Sequence, residues 1–346
     1  MEASPKTTLL TLIDRLGASQ PAEIEKALST ALAEGCESYF YFPFASARGV
    51  MSAAKEFWIP LREAFPDYEV RPAMALEGEY EGRQHASMLG FLSGNFQRPF
   101  VKIDATKKLA HLRFAINLVF EAEGAVACFV MFDLLELMRG AGLYPLRPMP
   151  GSPEQWLFPP ADRSSGMQHS SSQTLEVVRE MQAGLPEGPA IVDRASAAAH
   201  HSPHWSKNMN WFGPAGIGSS RGMEGFRDSH GALFLKAFPD RKGISRAEND
   251  AIARAGHFCE VGDGGYAMTA GWPNMEGIHS GGHWLGLPPT GRRVQMRVAD
   301  WYRLDRTGQI ADNWVLIDIP HILDQMGLDI FAELPFVIDP ELPRLP

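Results

Sequence analysis

The sequence predicts an α+β fold: two tandem cone-shaped α+β-barrel domains, each with helices packed in a strongly bent antiparallel sheet. Three observations carry this. Helical patterns gather ahead of strand-like runs in each half of the chain. The strands then follow one another without intervening helices, which argues against parallel βαβ units. Short matches also recur in the same order in both halves.

Taken in order, residues 21–34 read as a first helix with Pro21 in its opening turn. After the aromatic run Tyr39-Phe40-Tyr41-Phe42, a second helix is expected over Met51–Arg62. From Tyr68 to Phe132 the pattern is strand-like, with turns at Glu81-Gly82, Ser93-Gly94-Asn95 and Glu123-Gly124, before a short helix at Leu134–Arg139. The same grammar then returns. Ala64-Phe65-Pro66-Asp67 is matched by Ala237-Phe238-Pro239-Asp240, and Gly90-Phe91 by Gly271-Trp272. Thr106 and Arg113 are matched by Thr290 and Arg297, while Asp133 is matched by Asp318. The offset drifts from 173 (237 − 64) to 185 (318 − 133), so the second copy carries insertions.

Between the copies, residues 145–173 hold Pro145, Pro148, Pro150, Pro153, Pro159 and Pro160, then Ser-rich segments, which is linker composition. The domains are therefore placed at 1–146 and 174–346 around a 147–173 linker. Helices are expected at Thr174–Gly184 and Ile191–Ala199, and strands at Val294–Leu304 and Gln309–Ile317 around the turn Asp305-Arg306-Thr307-Gly308.

Composition narrows the function. The chain has 346 residues, 45% hydrophobic and 21% charged, as a globular protein with a sizeable core has. A formal net charge of −9 argues against a nucleic-acid surface. No run of about 18 apolar residues exists, so no membrane span is expected, and Leu9–Ile13 is too short for a secretory signal. Three scattered cysteines, Cys36, Cys128 and Cys259, with no C-x-x-C pattern, point to a reduced, cytoplasmic protein.

The second copy resembles the SnoaL-like polyketide cyclase (ester cyclase) family of the nuclear transport factor 2 cone-fold superfamily. The residues that carry this are Trp211-Phe212-Gly213-Pro214, Gly222-Met223-Glu224-Gly225-Phe226, His230, Ala237-Phe238-Pro239-Asp240, Pro289-Thr290-Gly291-Arg292, Gly308-Gln309-Ile310, and Trp314 four before Asp318. The first copy keeps the skeleton but has Phe57 where His230 stands, and Lys107 where a Gly follows Thr290. The resemblance implies metal-free, cofactor-free chemistry in which a carboxylate in the cone removes a proton next to a carbonyl. By motif position that acid corresponds to Asp318. Relatives on the same cone run other reactions, so the fold does not fix the reaction.

The residues themselves suggest the following site. Asp318 ends an apolar strand, where desolvation would raise its pKa and suit it to proton transfer; the plainer alternative is an N-cap for the next helix. Asp133 is its counterpart in copy one. Eight of the eleven histidines and six of the eight tryptophans lie in the second copy. His230, His279 and His283 are candidate proton partners, the last two flanking Gly281-Gly282. His201 and His204, with Trp211, Tyr266, Trp272 and Trp284, are candidate walls of a substrate pocket. His200, His201 and His204 invite a metal reading, but Pro203 breaks the helix that ligand spacing would need, and no metal is expected. Arg113 and Arg297 occupy equal places on successive strands, either to clamp a substrate anion or to hold the sheet by an ion pair.

The expected function is thus acid–base transformation of a small carbonyl-bearing molecule: cyclisation, isomerisation or dehydration. The alternatives are a hydrolase of an ester, lactone or epoxide using the same Asp/His pair, and a non-catalytic binder of small ligands. The expected partner is a small-molecule substrate, with no nucleic acid or membrane, and a homodimer formed through the sheets.

Overall fold

A computed structural model of the chain describes residues 3–153, 156–159, 169–183, 203–244 and 257–332. The chain divides into two compact units, Met1–Pro145 with Asp329–Pro346, and Leu146–Leu328.

The first unit runs α1 (Pro5–Ala18), α2 (Ile24–Leu28), β1 (Leu32–Phe40), β2 (Ala47–Arg48), α3 (Val50–Ala53), a π-helical segment Ala54–Trp58, α4 (Ile59–Ala64), β3 (Glu69–Tyr80), β4 (Arg83–Asn95), β5 (Leu109–Glu121), β6 (Gly124–Phe132) and α5 (Leu134–Gly140). Its strands form one sheet in the order β2-β1-β6-β5-β4-β3. The apolar stretch Leu9–Ile13 belongs to α1, which Ser4 caps by accepting from the Thr7 amide and which buries Leu9, Leu12, Ile13 and Leu16. The helix expected over 21–34 stops at Leu28. The chain turns at Ser29 and Thr30 and enters β1, whose alternating burial packs Cys36, Ser38 and Phe40 inward. β1 runs parallel to β6, so the sheet is mixed rather than wholly antiparallel.

The second unit repeats this plan with α6 (Ser171–Ala183), β7 (Trp205–Phe212), β8 (Ser220–Arg221), α7 (Gly222–Phe226), a π-helical segment Arg227–Gly231, α8 (Ala232–Ala237), β9 (Lys242–Gly243), β10 (His257–Asp263), β11 (Tyr266–Ile278), β12 (Arg293–Leu304), β13 (Ile310–Ile317) and α9 (Ile319–Met326). Among the described residues its sheet is ordered β10-β11-β12-β13-β7-β8, with β9 on β11 and β7 parallel to β13. The helix expected at Ile191–Ala199 lies outside the described residues.

Both sheets bend at matched glycines. A Cβ on Gly90 would sit 2.0 Å from the Arg71 carbonyl oxygen, and one on Gly271 would sit 1.9 Å from Asn274 Cβ. These are the points where the β3–β4 and β11–β12 registers break, so the absent side chain is what lets each sheet fold over its helices. Two boundaries differ from those the composition suggested. Part of the Pro-rich stretch packs as structure in the second unit: Ser152 bridges to Ser219, the Trp156 indole donates to the Gly213 carbonyl at 3.0 Å, and Phe158 stacks on Trp314 at 5.1 Å. At the other end, Phe331 stacks on Phe42 at 6.4 Å, which groups it with the first unit.

Candidate acid–base site in the second unit

A cavity of about 230 Å³ lies within the second sheet. Strand alternation decides what faces it. On β12 the inward residues are Met296, Val298, Asp300 and Tyr302, and on β13 they are Asn313, Val315 and Ile317. Trp211, Phe226, His230, Phe234 and Trp284 supply aromatic walls, and Gln182 of α6 and His257 of β10 close one end.

Asp300 is the one carboxylate among the described residues that line this cavity. Burial pushes its carboxyl up to about 7, against hydrogen bonds that favour the anion, from Asn313 Nδ2 at 3.1 Å and from Tyr302. The Tyr302 hydroxyl hydrogen bonds to Asp300, Thr269 and Gln182, and burial followed by the Asp300 charge holds it protonated. The Gln182 amide donates to Thr269 Oγ1 at 2.9 Å. These groups form one polar cluster in a mostly apolar chamber, whose lining also includes Arg241, Lys242 and Asn274.

His230 sits on the π-helical segment, stacked on Trp211 at 4.6 Å and on Phe234 at 5.5 Å. The part of its ring that is not packed faces the cavity. Desolvation lowers it to about 4, so it is a neutral imidazole at neutral pH. Its Nδ1 has no hydrogen-bond partner among the described residues. An orphaned acceptor is cheaper than an orphaned N–H, which favours the tautomer with hydrogen on Nε2.

At the same end, His257 Nδ1 lies 3.0 Å from Glu260 Oε1, and Glu260 Oε2 accepts from Arg179 Nε at 2.9 Å. Burial alone would raise Glu260, but the hydrogen bonds and charges of His257 and Arg179 outweigh it and hold the group ionised.

The structure brings His230, Trp211 and Trp284 to the cavity, and places the other sequence candidates among the described residues elsewhere. Asp318 does not line the cavity. It is fully buried as the N-cap of α9, accepting from the His321 amide, and it pairs with Arg297 Nη1 at 3.2 Å. Asp133 does the same for α5 and pairs with Arg113 Nη1 at 2.8 Å. The residue type and strand-end position that suggest a base are equally those of a cap, and in both copies the cap and the ion pair hold the strand-to-helix turn. Arg297 also lies over the Trp272 ring at 4.9 Å, which uses both residues as packing. His279 is buried outside the cavity, where its Nε2 holds the Gly282 carbonyl at 2.8 Å, and His283 is exposed. His204 faces Glu180 at 3.8 Å, Tyr266 opens β11 away from the cavity, and His201 lies outside the described residues.

Sequence reasoning missed Asp300, Tyr302, Asn313 and His257. The signal for two of them was in the repeat. At the offset set by Arg113 and Arg297, 184 (297 − 113), Val298, Asp300 and Tyr302 fall on Phe114, Ile116 and Leu118. An acid standing for an isoleucine on an inward strand face is the anomaly to look for.

Among the described residues, no group of three or more His, Cys, Asp or Glu could hold a metal ion, and no helix is long and apolar enough to cross a membrane. Residues 263–326 match the model of the SnoaL-like polyketide cyclase family, so the second unit is similar to that family over β11 to α9. No curated protein matches the chain. Similar solved structures include a SnoaL-like polyketide cyclase candidate from Jannaschia sp. CCS1, at 21% identity over 40% of this chain and 94% of that one, with a TM-score of 0.34. An NTF2-like protein from Burkholderia thailandensis E264 is 18% identical over 40% of this chain and 98% of its own, with a TM-score of 0.32. A SnoaL-like polyketide cyclase from Agrobacterium tumefaciens str. C58 is 13% identical over 40% and 98%, also with a TM-score of 0.32.

Proposed function

We propose that the second unit is a cofactor-free acid–base enzyme acting on a small carbonyl-bearing organic molecule, with Asp300 as the group that takes the proton. One observation carries this reading: a lone carboxyl, raised to about 7, faces a mostly apolar cavity at a position where the sister domain holds an isoleucine. At neutral pH Asp300 is divided between its two protonation states, which suits it to accept a proton from carbon and return it. Tyr302 and Asn313 fix the plane of the carboxyl, so its attacking oxygen is set before the substrate arrives. His230 serves as a hydrogen-bond donor through Nε2, polarising the substrate carbonyl without itself carrying charge. Trp211, Phe234 and Trp284 exclude water and hold a flat ring. A cavity of about 150 Å³ admits benzene, so about 230 Å³ suits one substituted ring or a small fused pair.

The test is exchange of substrate α-hydrogen for deuterium from heavy water, followed by NMR across small cyclic ketones and 1,3-dicarbonyls. The wild type is expected to exchange at least one of them, and Asp300→Asn to slow exchange by roughly 10²–10⁴-fold while still binding it. Exchange at the wild-type rate in Asp300→Asn would sink the assignment. Binding without exchange in the wild type would favour a carrier protein.

A further inference from the structure

We propose that His257 is a second proton carrier of this cavity, protonating the leaving group of a small cyclic β-hydroxy carbonyl substrate, with Glu260 as its positioning residue. The proposal rests on Asp300 being the base, and it names the reaction of that site as loss of water rather than ring closure.

Three observations carry it. First, His257 is buried yet lines the cavity, and because Nδ1 is engaged by Glu260, Nε2 is the nitrogen left to serve the substrate. Glu260 is fully buried and held from its far side by Arg179, so the ring is fixed by a carboxylate that is itself fixed. With Nδ1 fixed in this way, a proton passed to the substrate leaves from Nε2.

Second, the fold does not need this arrangement. His257 pairs with Gly271, and Glu260 pairs with Thr269. In the first unit Pro72 pairs with Gly90, and Ala75 pairs with Met88. Gly271 and Gly90 share one offset, 181 (271 − 90), as do Thr269 and Met88, 181 (269 − 88). The places of His257 and Glu260 are thus taken by Pro72 and Ala75, and that sheet forms with neither charge. A buried ion pair is weak evidence of stabilisation, and here a sheet of the same plan dispenses with it.

Third, the two carriers stand apart. Asp300 pairs with Thr269, and Thr269 with Glu260, so Asp300 and Glu260 lie two strands apart, roughly 10 Å at the backbone. A proton shift between neighbouring carbons needs one carboxyl, which can pick up and put down at both. Two carriers on separate strands suit a substrate whose two reacting ends differ, one losing a proton and the other gaining one.

The step balances. Asp300 takes the proton from the carbon beside the carbonyl, and the C–H electron pair becomes the new C=C bond. The C–O bond to the β-hydroxyl breaks, its electron pair leaves with oxygen, and that oxygen takes the proton from His257 Nε2 and departs as water. Asp300 then gives its proton to solvent and His257 regains one, so the substrate loses water and nothing is oxidised or reduced.

The experiment uses the full chain with β-hydroxycyclohexanone and its benzo-fused analogue as probes, following deuterium exchange and water loss separately. In His257→Gln the amide still donates to Glu260, so the fold is kept while the proton is lost. Water loss is expected to fall by at least about 100-fold, and by far more than exchange falls. Glu260→Gln is expected to lower kcat for water loss about tenfold with KM and exchange unchanged, a split that mere structural weakening would not give. Water loss at the wild-type rate in His257→Gln overturns the proposal, as does equal loss of exchange and water loss in a variant whose thermal unfolding matches wild type. A wild type that exchanges both probes but dehydrates neither also overturns it and leaves Asp300 standing as the base. A wild type that does neither takes down both readings.

Discussion

The two sheets pair corresponding residues in the same register and enclose opposite interiors. In the first, Phe114 faces Phe132, Ile116 faces Val130 and Leu118 faces Cys128. In the second, the same three rungs are Val298 with Ile317, Asp300 with Val315 and Tyr302 with Asn313. Above the first sheet, Phe57 stacks on Phe40 at 5.0 Å and on Phe132 at 5.4 Å and meets Phe44 edge-on at 5.0 Å, so aromatic rings fill the space. Above the second, His230 takes the place of Phe57 and a cavity opens beside it. What the copies share is what builds the fold: the glycine bends, the π-helical segments, and an arginine paired to the acid that caps the last helix. Beside insertions and the extra strand β9, what they do not share includes the inward side chains of these rungs. The same scaffold forms with its interior filled by rings or opened into a cavity.

The sharpest way to break this comparison is to carry a polar residue the wrong way. Ile116→Asp would bury a carboxyl among apolar side chains with no Asn or Tyr beside it, since its neighbouring rung is Leu118 and Cys128. Destabilisation of more than about 4 kcal/mol is expected in urea unfolding. A cost below about 1 kcal/mol would mean that the first interior is not dry.

A second, comparable effect is linked to pH. The Asp300 carboxyl sits at about 7 in the folded chain against 3.8 when free, so the folded state holds the extra proton. Stability from this group is therefore fullest below about pH 4, falls as pH rises toward 7, and is flat above. At about 1.4 kcal/mol for each pH unit the whole effect is of order 4 kcal/mol, less because part of the carboxyl faces the cavity. Asp300→Asn should accordingly gain stability over wild type at pH 8 and show little gain at pH 4, read as the difference in Tm. A gain independent of pH would sink the desolvated-carboxyl account.

The smallest expected effect sharpens the contrast between the two acids of the second unit. Asn caps helices about as well as Asp, so Asp318→Asn should keep the α9 cap and lose mainly the partly exposed Arg297 pair. We expect a cost of about 1–2 kcal/mol, with turnover per folded molecule unchanged. Asp133→Asn, whose arginine is almost wholly buried, should cost about 3 kcal/mol or more. A large drop in turnover from Asp318→Asn would return the catalytic role to that residue.

Much of the fold was legible in the sequence because its signals are local and repeated. Turn residues at Glu81-Gly82, Glu123-Gly124 and Asp305–Gly308, and alternation along β12 and β13, placed the long strands. β1 and β7 were not read as strands because each gains its ladder from a partner some 90 or more residues away, beside β6 and β13. Of the cavity lining, His230, Trp211 and Trp284 were legible from composition and motif, while the carboxylate that faces it, Asp300, was not singled out. Asp318 and Asp300 are both single acids on apolar strands, and only register separates one at the strand's end, pointing at a helix, from one facing the hollow. His257 carried no local signal, since its partner Glu260 becomes meaningful only once both are seen against the cavity wall.

The stacking of Phe158 on Trp314 bears on how the second unit could be obtained by itself. Trp314 also stacks on Phe212 at 5.5 Å and donates its indole N–H to the Leu157 carbonyl at 3.0 Å. A fragment cut at the start of α6 would strip Leu157 and Phe158 from this surface, baring an aromatic strip on the outside of the sheet and leaving an indole N–H without its acceptor. Such a fragment is the one to avoid in preparing labelled material, since it invites self-association through that strip. Starting instead near Leu146 keeps Gly151, Trp156 and Phe158 in place, and with them the outer wrapping of the same sheet whose inner face holds Asp300.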